Sequence, residues 1–452
     1  MLRRLLFANF KLVYKFSQWM RQRFTPAGVM ILLTMPVAGV FGFDTRSTLS
    51  FQIFSITLIL LITSISISLF FRGKFAVERK LPDYGTVGTP LYYSCTVKNE
   101  NKKPRKGLVL IDDLNAPFPT IDEFNKTKDP LDKKRNRVDR FIGYPRLVNT
   151  LQKRRGGSIA PVSIDYIAEK SNAEEQIQLM PLRRGYLYFE QTRLAQVDPL
   201  GLFQAQKIFE NKDRLLVLPK LYKTPTLNMH GKRTYQQGGI NNASSTGDSQ
   251  EFISLRDYRP GDPIRSIHWK SYAKTNHPVV KEYNDEFFIR YGLILDTYLD
   301  NKAEELFEDA VSIAASFMTA QKEQDALLDL MFIGNNTYRF TSGRGLGGTE
   351  NILEVLACIK PVYESNIKDM ELMLKEYSHE CSGLICILLD LDEARRNFLQ
   401  ILSLFNVPVK VLIVSESKDI DISNIEIRNS FGLIDINIIQ HDSLQLDLDK
   451  IT

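Results

Sequence analysis

Two aspartates stand where an α/β sheet would put carboxylates to chemical use. Asp296 closes the apolar run YGLILD and Asp390 closes GLICILLD, and open α/β sheets collect their ligands at the carboxyl ends of the strands. Carboxylates grouped there offer hard oxygen donors to a divalent cation, which in turn could activate water. A second polar concentration lies upstream, in residues 247–286, GDSQEFISLRDYRPGDPIRSIHWKSYAKTNHPVVKEYNDE. Its turn is Arg259-Pro260-Gly261-Asp262, where Pro260 fixes φ and Gly261 admits a positive one. Around it gather Glu251, Arg256, Asp257, Arg265, His268, Lys270, Lys274, Lys281 and Glu282. Two readings stand side by side. One is a partner-recognition surface made of Arg256, Asp257, Tyr258, Pro260, Gly261, Asp262, Arg265, His268, Trp269 and Lys270. The other is a salt-bridged loop that locks two domains, with Trp269 as its buried anchor. Catalysis by His268 is not expected, since no nucleophile and orienting carboxylate stand at a recognisable spacing. The glycines of GRGLGG (Gly343, Gly345, Gly347, Gly348) lack a following Gly-Lys-Ser/Thr, so they read as a flexible loop rather than a phosphate cradle.

The elements that would carry these residues follow from periodicity. From about residue 290, buried apolar strands alternate with helical stretches: YGLILD, EELFEDAVSIAASFMTAQK, LLDLMFIG, TENILEVLACIK, GLICILLD, EARRNFLQILSLF and PVKVLIVSE. That order predicts a doubly wound α/β domain, with TYRFTS as an antiparallel edge strand. Between residues 75 and 205 the pattern becomes short alternating runs broken by single Gly or Pro residues, as an antiparallel sandwich requires. Inside it, residues 126–155 hold Lys126, Lys128, Lys133, Lys134, Arg135, Arg137, Arg140, Arg146, Lys153, Arg154 and Arg155 against Asp129, Asp132 and Asp139. Such a run is a solvated loop, or it meets anionic headgroups, where each basic residue adds about 1 kcal/mol. Nucleic acid is not expected, because no aromatic stacking pattern accompanies the charge.

Residues 26–43 and 49–71 contain no charged side chain, and each is near the length that spans about 30 Å of hydrocarbon. The first 25 residues carry Arg3, Arg4, Lys11, Lys15, Arg21 and Arg23 without an acid, and Arg72, Lys74, Arg79 and Lys80 follow the second run. With only Asp44 and Arg46 between the runs, the positive-inside bias predicts a membrane hairpin with both ends in the cytoplasm. A cleaved signal peptide ending near Ala38 is the competing reading, opposed by the long basic preamble and the basic stop. Residues 1–23 have the composition of an amphipathic helix lying on anionic lipid.

The length of 452 residues suggests roughly two or three folded units. With 44% hydrophobic and 25% charged residues the chain is neither disordered nor a multi-span transporter, and a net charge of +5 is too small to argue for nucleic acid. Cys95, Cys358, Cys381 and Cys386 show no two-residue ligand spacing and read as packed thiols. Cys381 and Cys386 fall on opposite faces if one strand holds both.

The stretches PLRRGYLYFEQTRLAQVDPLGLF (residues 181–203) and 247–286 together resemble the bacterial domain of unknown function 58 family. That family joins an Arg-Gly-Tyr strand to an Asp-Pro-Leu-Gly-Leu-Phe turn and later runs Leu-Arg-x-Tyr-x-Pro-Gly-Asp into Ile-x-Trp-Lys. The resemblance implies a von Willebrand factor A-like C-terminal domain, whose divalent cation sits between an Asp-x-Ser-x-Ser loop, a helix-opening Thr and a late Asp. The corresponding residues are Asp296, Asp300, Thr349 and Asp390, with Tyr298 and Asp300 in place of both serines. The site is either a Mg2+ site or a degenerate one. The expected division is a basic amphipathic segment 1–24, two transmembrane helices within 25–73, a β-rich module 75–210 with the insertion 126–155, a signature segment and linker 211–289, and the α/β domain 290–452.

The expected function is that of a membrane-anchored cytoplasmic interaction or scaffold protein of the bacterial inner membrane, not an enzyme. The family resemblance implies a MoxR-type AAA+ ATPase as protein partner, acting in assembly or remodelling of envelope or other complexes. The alternative is a metal-dependent hydrolase built on Asp296, Asp300 and Asp390.

Overall fold

The computed structural model describes residues 2–42, 48–71, 73–126, 135–137, 139, 143–225, 252–262, 264, 267–283, 289–299, 304–320, 326–334, 337–342, 349–363, 368–377, 381–405, 407–416, 428–429 and 432–451. They form two compact units, residues 1–220 with 353–358, and residues 221–352 with 359–452.

The first unit opens with three helices, α1 (Leu2–Arg23), α2 (Pro26–Gly42) and α3 (Thr48–Leu69). Within α3, Leu49–Leu69 is long and apolar enough to cross a membrane, while the apolar stretch of α2, Pro26–Phe41, is shorter. The 17 residues of α2 extend only about 25 Å at 1.5 Å per residue. Among the described residues, one helix of membrane-crossing length therefore stands where the sequence suggested two.

Ten strands follow: β1 (Phe75–Lys80), β2 (Tyr84–Thr86), β3 (Leu91–Asn99), β4 (Arg105–Leu114), β5 (Gly157–Ile159), β6 (Val162–Ile167), β7 (Asn172–Pro181), β8 (Gly185–Val197), β9 (Gln204–Phe209) and β10 (Asp213–Leu218). They make one sheet in the order β1-β3-β7-β5 and a second in the order β2-β10-β8-β4-β6, with β9 also on β8. Alternation decides which side chains go inward. Tyr93, Cys95 and Val97 of β3 and Leu108, Leu110 and Leu114 of β4 enter one apolar core with Ile177, Leu179, Leu187 and Phe189. The sheet continues past residue 210, because the apolar run of β10 pairs with both β8 and β2. Between β4 and β5 stand α4 (Ile121–Lys126) and α5 (Tyr144–Arg155). The basic insertion is thus helical in part, with Leu147 and Leu151 of α5 buried beside Phe10 of α1. Residues 127–134, 138 and 140–142 lie outside the described residues.

The second unit begins with the antiparallel pair β11 (Phe252–Asp257) and β12 (Val279–Tyr283), between which lies α6 (Trp269–Thr275). Its main sheet holds β13 (Ile289–Leu295), β14 (Ala326–Ile333), β15 (Thr337–Ser342), β16 (Gly383–Leu389) and β17 (Val409–Ser415); a short pair, β18 (Arg428–Asn429) and β19 (Gly432–Leu433), stands apart, and β20 (Asp435–Gln440) completes the main sheet. The order is β15-β14-β13-β16-β17-β20, parallel except for β15. The helices are α7 (Glu304–Ala320), α8 (Thr349–Cys358), of which residues 353–358 belong to the first unit, α9 (Lys368–Tyr377), α10 (Glu393–Leu402) and α11 (Leu444–Leu448). Every residue of β16 is buried, as a central parallel strand covered on both faces must be. Cys381 precedes β16 instead of lying in it, and both it and Cys386 enter the same apolar cluster. Cys358 is exposed, unlike the other three cysteines, so it is not the packed thiol expected. The glycine loop 343–348 lies outside the described residues.

Candidate functional site

β13 delivers Asp296 and β16 delivers Asp390 to the carboxyl end of the sheet, as the sequence predicts. Asp296 is fully buried. Its Oδ1 accepts the Tyr298 N–H at 2.9 Å, and its Oδ2 accepts the Leu389 N–H at 3.0 Å and Arg395 Nε at 2.6 Å. Arg395 comes from the first turn of α10, where Asp392 caps the helix by accepting the Arg395 N–H at 2.9 Å. The same guanidinium pairs with the Asp392 carboxylate through Nη1 and donates to the Tyr298 carbonyl through Nη2 at 2.7 Å. A buried carboxylate needs a counter-charge, and here the chain supplies it.

Asp390 adopts φ 62° and its Oδ1 accepts the N–H of Leu391 at 2.9 Å. Tyr298 packs into the apolar cluster with Met370, Met373 and Phe398, so its side chain serves as core. Thr349 opens α8, and Asp300 lies outside the described residues. Among the described residues no group of three or more His, Cys, Asp or Glu is disposed to hold a metal. Arg395 occupies Oδ2 of Asp296, so the guanidinium is the counter-charge of this buried carboxylate, and a divalent cation would have to displace it.

The signature segment is held together by a fork. Arg256 Nη1 and Nη2 donate to Asp262 Oδ2 and Oδ1, both at 2.7 Å, and the Arg259 N–H donates to Oδ2 at 2.9 Å. These bonds, Arg256 first, pull the Asp262 carboxyl down to about 2. Gly261 takes φ 111° within the turn that Pro260 begins, a conformation that disfavours any residue with a Cβ. Asp257 ends β11, and the Tyr258 N–H donates to the Pro278 carbonyl at 2.9 Å. His268 occupies the N-cap position of α6, its ring bonding no helix N–H but standing with Nδ1 2.6 Å from Ser271 Oγ. Trp269 corrects the expectation of a buried anchor: it is 60% exposed, edge-on to Tyr272 with ring centroids 6.1 Å apart, and followed by exposed Lys270. Glu251 and Arg265 lie outside the described residues.

Residues 254–421 match the family described as "Protein of unknown function DUF58". The chain carries a DUF58 domain. The matched stretch takes in the Arg256–Asp262 fork, Trp269, Asp296 and Arg395. The uncharacterized protein YeaD of Bacillus subtilis (strain 168) is 26% identical over 182 residues, 40% of this chain and 44% of that relative, so the chain spans less than half the length of the curated relative it matches. Among solved structures, the CARDB domain of the PF1109 protein from Pyrococcus furiosus is covered to 91% by 33% of this chain, at 13% identity and a TM-score of 0.17. A GH20 exo-β-N-acetylglucosaminidase from Vibrio harveyi is covered to 57% by 76% of this chain, at 8% identity and a TM-score of 0.14. Scores this low carry no argument about this chain.

Two polar clusters inside the second unit, which sequence reasoning missed, accompany the DUF58 domain's carboxylate pair. Buried Asp329 on β14 is bridged by Arg290 of β13 and Arg339 of β15, each at 2.8 Å. Asp309 of α7 meets His441 Nδ1 at 2.5 Å. Burial raises the Asp309 carboxyl to about 6, and the bond to Asp309 raises His441 above its ordinary value.

Upstream of the DUF58 domain match, the Asp198–Phe203 turn shows what its motif is for. Asp198 Oδ1 accepts the N–H groups of Leu202 and Phe203 at 2.8 and 2.7 Å, and Oδ2 accepts that of Leu200 at 3.0 Å. Burial works to raise Asp198, but the Phe203 amide, Ser64 and the Leu202 and Leu200 amides together outweigh it and hold the carboxyl below its ordinary range. The turn grips the start of α2: Thr25 Oγ1 donates to the Gly201 carbonyl at 2.6 Å, and Phe24 meets Phe203 edge-on at 5.0 Å. A Cβ on Gly28 would lie 2.0 Å from the Leu202 carbonyl oxygen, so only glycine allows this approach. Deeper in the sandwich, Arg79 donates to both oxygens of Asp112 at 2.9 and 2.8 Å and lies over the Phe189 ring, 4.5 Å from its centroid.

Proposed function

We propose that the protein is a membrane-anchored interaction protein whose DUF58 domain offers a protein-binding surface rather than a catalytic centre. The observation that carries this is Trp269, 60% exposed and set edge-on to Tyr272 on α6, in the segment that also holds the Arg256–Asp262 fork. Exposed aromatics have the composition of interface hot spots. The fork fixes the turn, so little ordering entropy remains to be lost on binding.

Strand order supports a von Willebrand factor A-like reading of the second unit: five parallel strands with an antiparallel strand at one edge. In that reading the cation loop after β13 is closed by Arg395, and recognition proceeds without a metal. A hydrolase built on the same carboxylates would need Asp296 as a ligand, where Arg395 already binds it. In this reading α3 is the membrane span and the shorter apolar α2 enters beside it as the other arm of a hairpin, with the basic flanks placing the bulk of the chain in the cytoplasm of a bacterium. The partner proposed, from the family resemblance, is a MoxR-type AAA+ ATPase.

The test is binding of the full chain in nanodiscs to a MoxR-type ATPase from the same cell, followed by surface plasmon resonance. Trp269→Ala and Tyr272→Ala should each weaken capture tenfold or more, since hot-spot truncations cost about 2 kcal/mol or above. Unchanged affinity in both variants removes the Trp269 surface from the reading; no binding by the wild type removes this partner.

A further inference from the structure

We propose that α1 lies in the membrane–water interface, clamped by the helical insertion of the sandwich, and that its partner is an anionic lipid surface; this rests on the membrane-anchored reading above. The helix has two apolar faces. Phe7, Phe10 and Tyr14, at helical spacing, face the segment between β4 and β5 that includes the insertion: Phe7 meets Phe124 at 5.3 Å, Phe10 meets Tyr144 at 5.7 Å, and Tyr14 meets Phe118 at 5.3 Å, with Leu147 and Leu151 beneath. Leu12, Phe16 and Trp19 fall on the opposite side, because positions four and seven residues apart share a face. They are 70%, 60% and 47% exposed.

One packed face and one bare apolar face on a single helix mean that water is not the medium of the bare one. Three observations choose lipid as its cover. α1 joins α2 through Phe24 and Thr25 alone, and α3 beyond it contains the segment of membrane-crossing length, so the bare face begins close to where the chain enters hydrocarbon. Residues 1–25 contain six Lys or Arg and no acid, the complement of an anionic leaflet. Trp19 stands at the end of α1 nearest α2, stacked on Phe16 at 6.1 Å, and tryptophan is the side chain that membrane interfaces favour. The clamp explains why a basic insertion sits in this β module. By packing against Phe10, α5 fixes the roll of α1 about its axis, and its last turn brings Lys153, Arg154 and Arg155 to the same module.

Trp19 is also the reporter. Trp269→Phe leaves it the only tryptophan of two. The full chain in this background is placed in nanodiscs of phosphatidylcholine with or without phosphatidylglycerol, using acyl chains either plain or brominated near the headgroup. The expected result is at least twofold quenching of Trp19 by bromine in the anionic discs, lost in Leu12→Glu/Phe16→Glu. Equal emission with plain and brominated chains overturns the proposal, and equal quenching in neutral and anionic discs overturns its anionic part. Flotation of the same chain with liposomes keeps two failures apart. A chain that floats with an unquenched Trp19 refutes the interfacial helix alone, whereas a chain that does not float refutes the anchor as well.

Discussion

The Nε of Arg395 stands 2.6 Å from Oδ2 of Asp296, 99 residues earlier in the chain, so the cation at the carboxyl end of β13 is covalently part of the protein. Both side chains are almost wholly buried, which makes the pair strongly interdependent: removing one charge strands the other away from water. Asp296→Ala should therefore cost about 3–5 kcal/mol, read from urea denaturation of the full chain. Asp296→Ala/Arg395→Met should recover most of that loss, because no unpaired charge remains. Millimolar Mg2+ should leave the wild-type melting temperature unchanged; a rise with Mg2+ would mean that the ion displaces the arginine.

His441 and Asp309 couple the second unit to pH. Burial lifts the Asp309 carboxyl to about 6, and the bond to that carboxylate lifts His441 above its ordinary value. Neighbouring Glu308, Glu305 and Asp442 act in the same direction. Both folded values lie above the unfolded ones, about 3.9 for Asp and 6.5 for His, so both groups stabilise most when protonated. Asp309 loses its contribution as pH rises toward and through 6, and His441 as pH rises past 6.5 and through its folded value. The melting temperature should fall from pH 5 to pH 8. Asp309→Asn should flatten that slope, and an equally steep fall in the variant would assign the effect elsewhere.

How far the sequence discloses this molecule depends on the range of each interaction. Period-two alternation marks β3 through Tyr93, Cys95 and Val97, and the unbroken apolar run of β16 marks a strand covered on both faces. These are properties of adjacent residues. β20 escapes because polar Asp435, Asn437 and Gln440 break its run, and only pairing with β17 makes it a strand. The Arg395–Asp296 and Arg79–Asp112 pairs are invisible until the topology brings distant segments together, although Asp392 with Arg395 three residues later does signal a capped helix start. In the basic insertion the charges obscure Leu147 and Leu151, whose spacing of four residues was a helix signal. Trp269 misleads in the opposite direction. Large apolar side chains are usually buried, and only the fold shows that this one is 60% exposed.

The Asp198–Phe203 turn gives the most local prediction, since one carboxylate serves three backbone donors and one glycine permits the contact that they shape. Asp198→Ala leaves the N–H groups of Leu200, Leu202 and Phe203 without their acceptor, at about 1–3 kcal/mol for each that finds no water. Asp198→Asn retains one carbonyl oxygen and should lose less. Gly28→Ala acts from the other side, pressing a methyl group against the Leu202 carbonyl. Each variant should lower the melting temperature of the nanodisc-embedded chain and speed cleavage of the 198–203 turn by a non-specific protease. Because both substitutions release the same contact, Gly28→Ala/Asp198→Ala should cost less than the sum of the two. Strictly additive losses would show that the turn and α2 are stabilised independently, and would separate the motif from the grip on the helix that the geometry gives it.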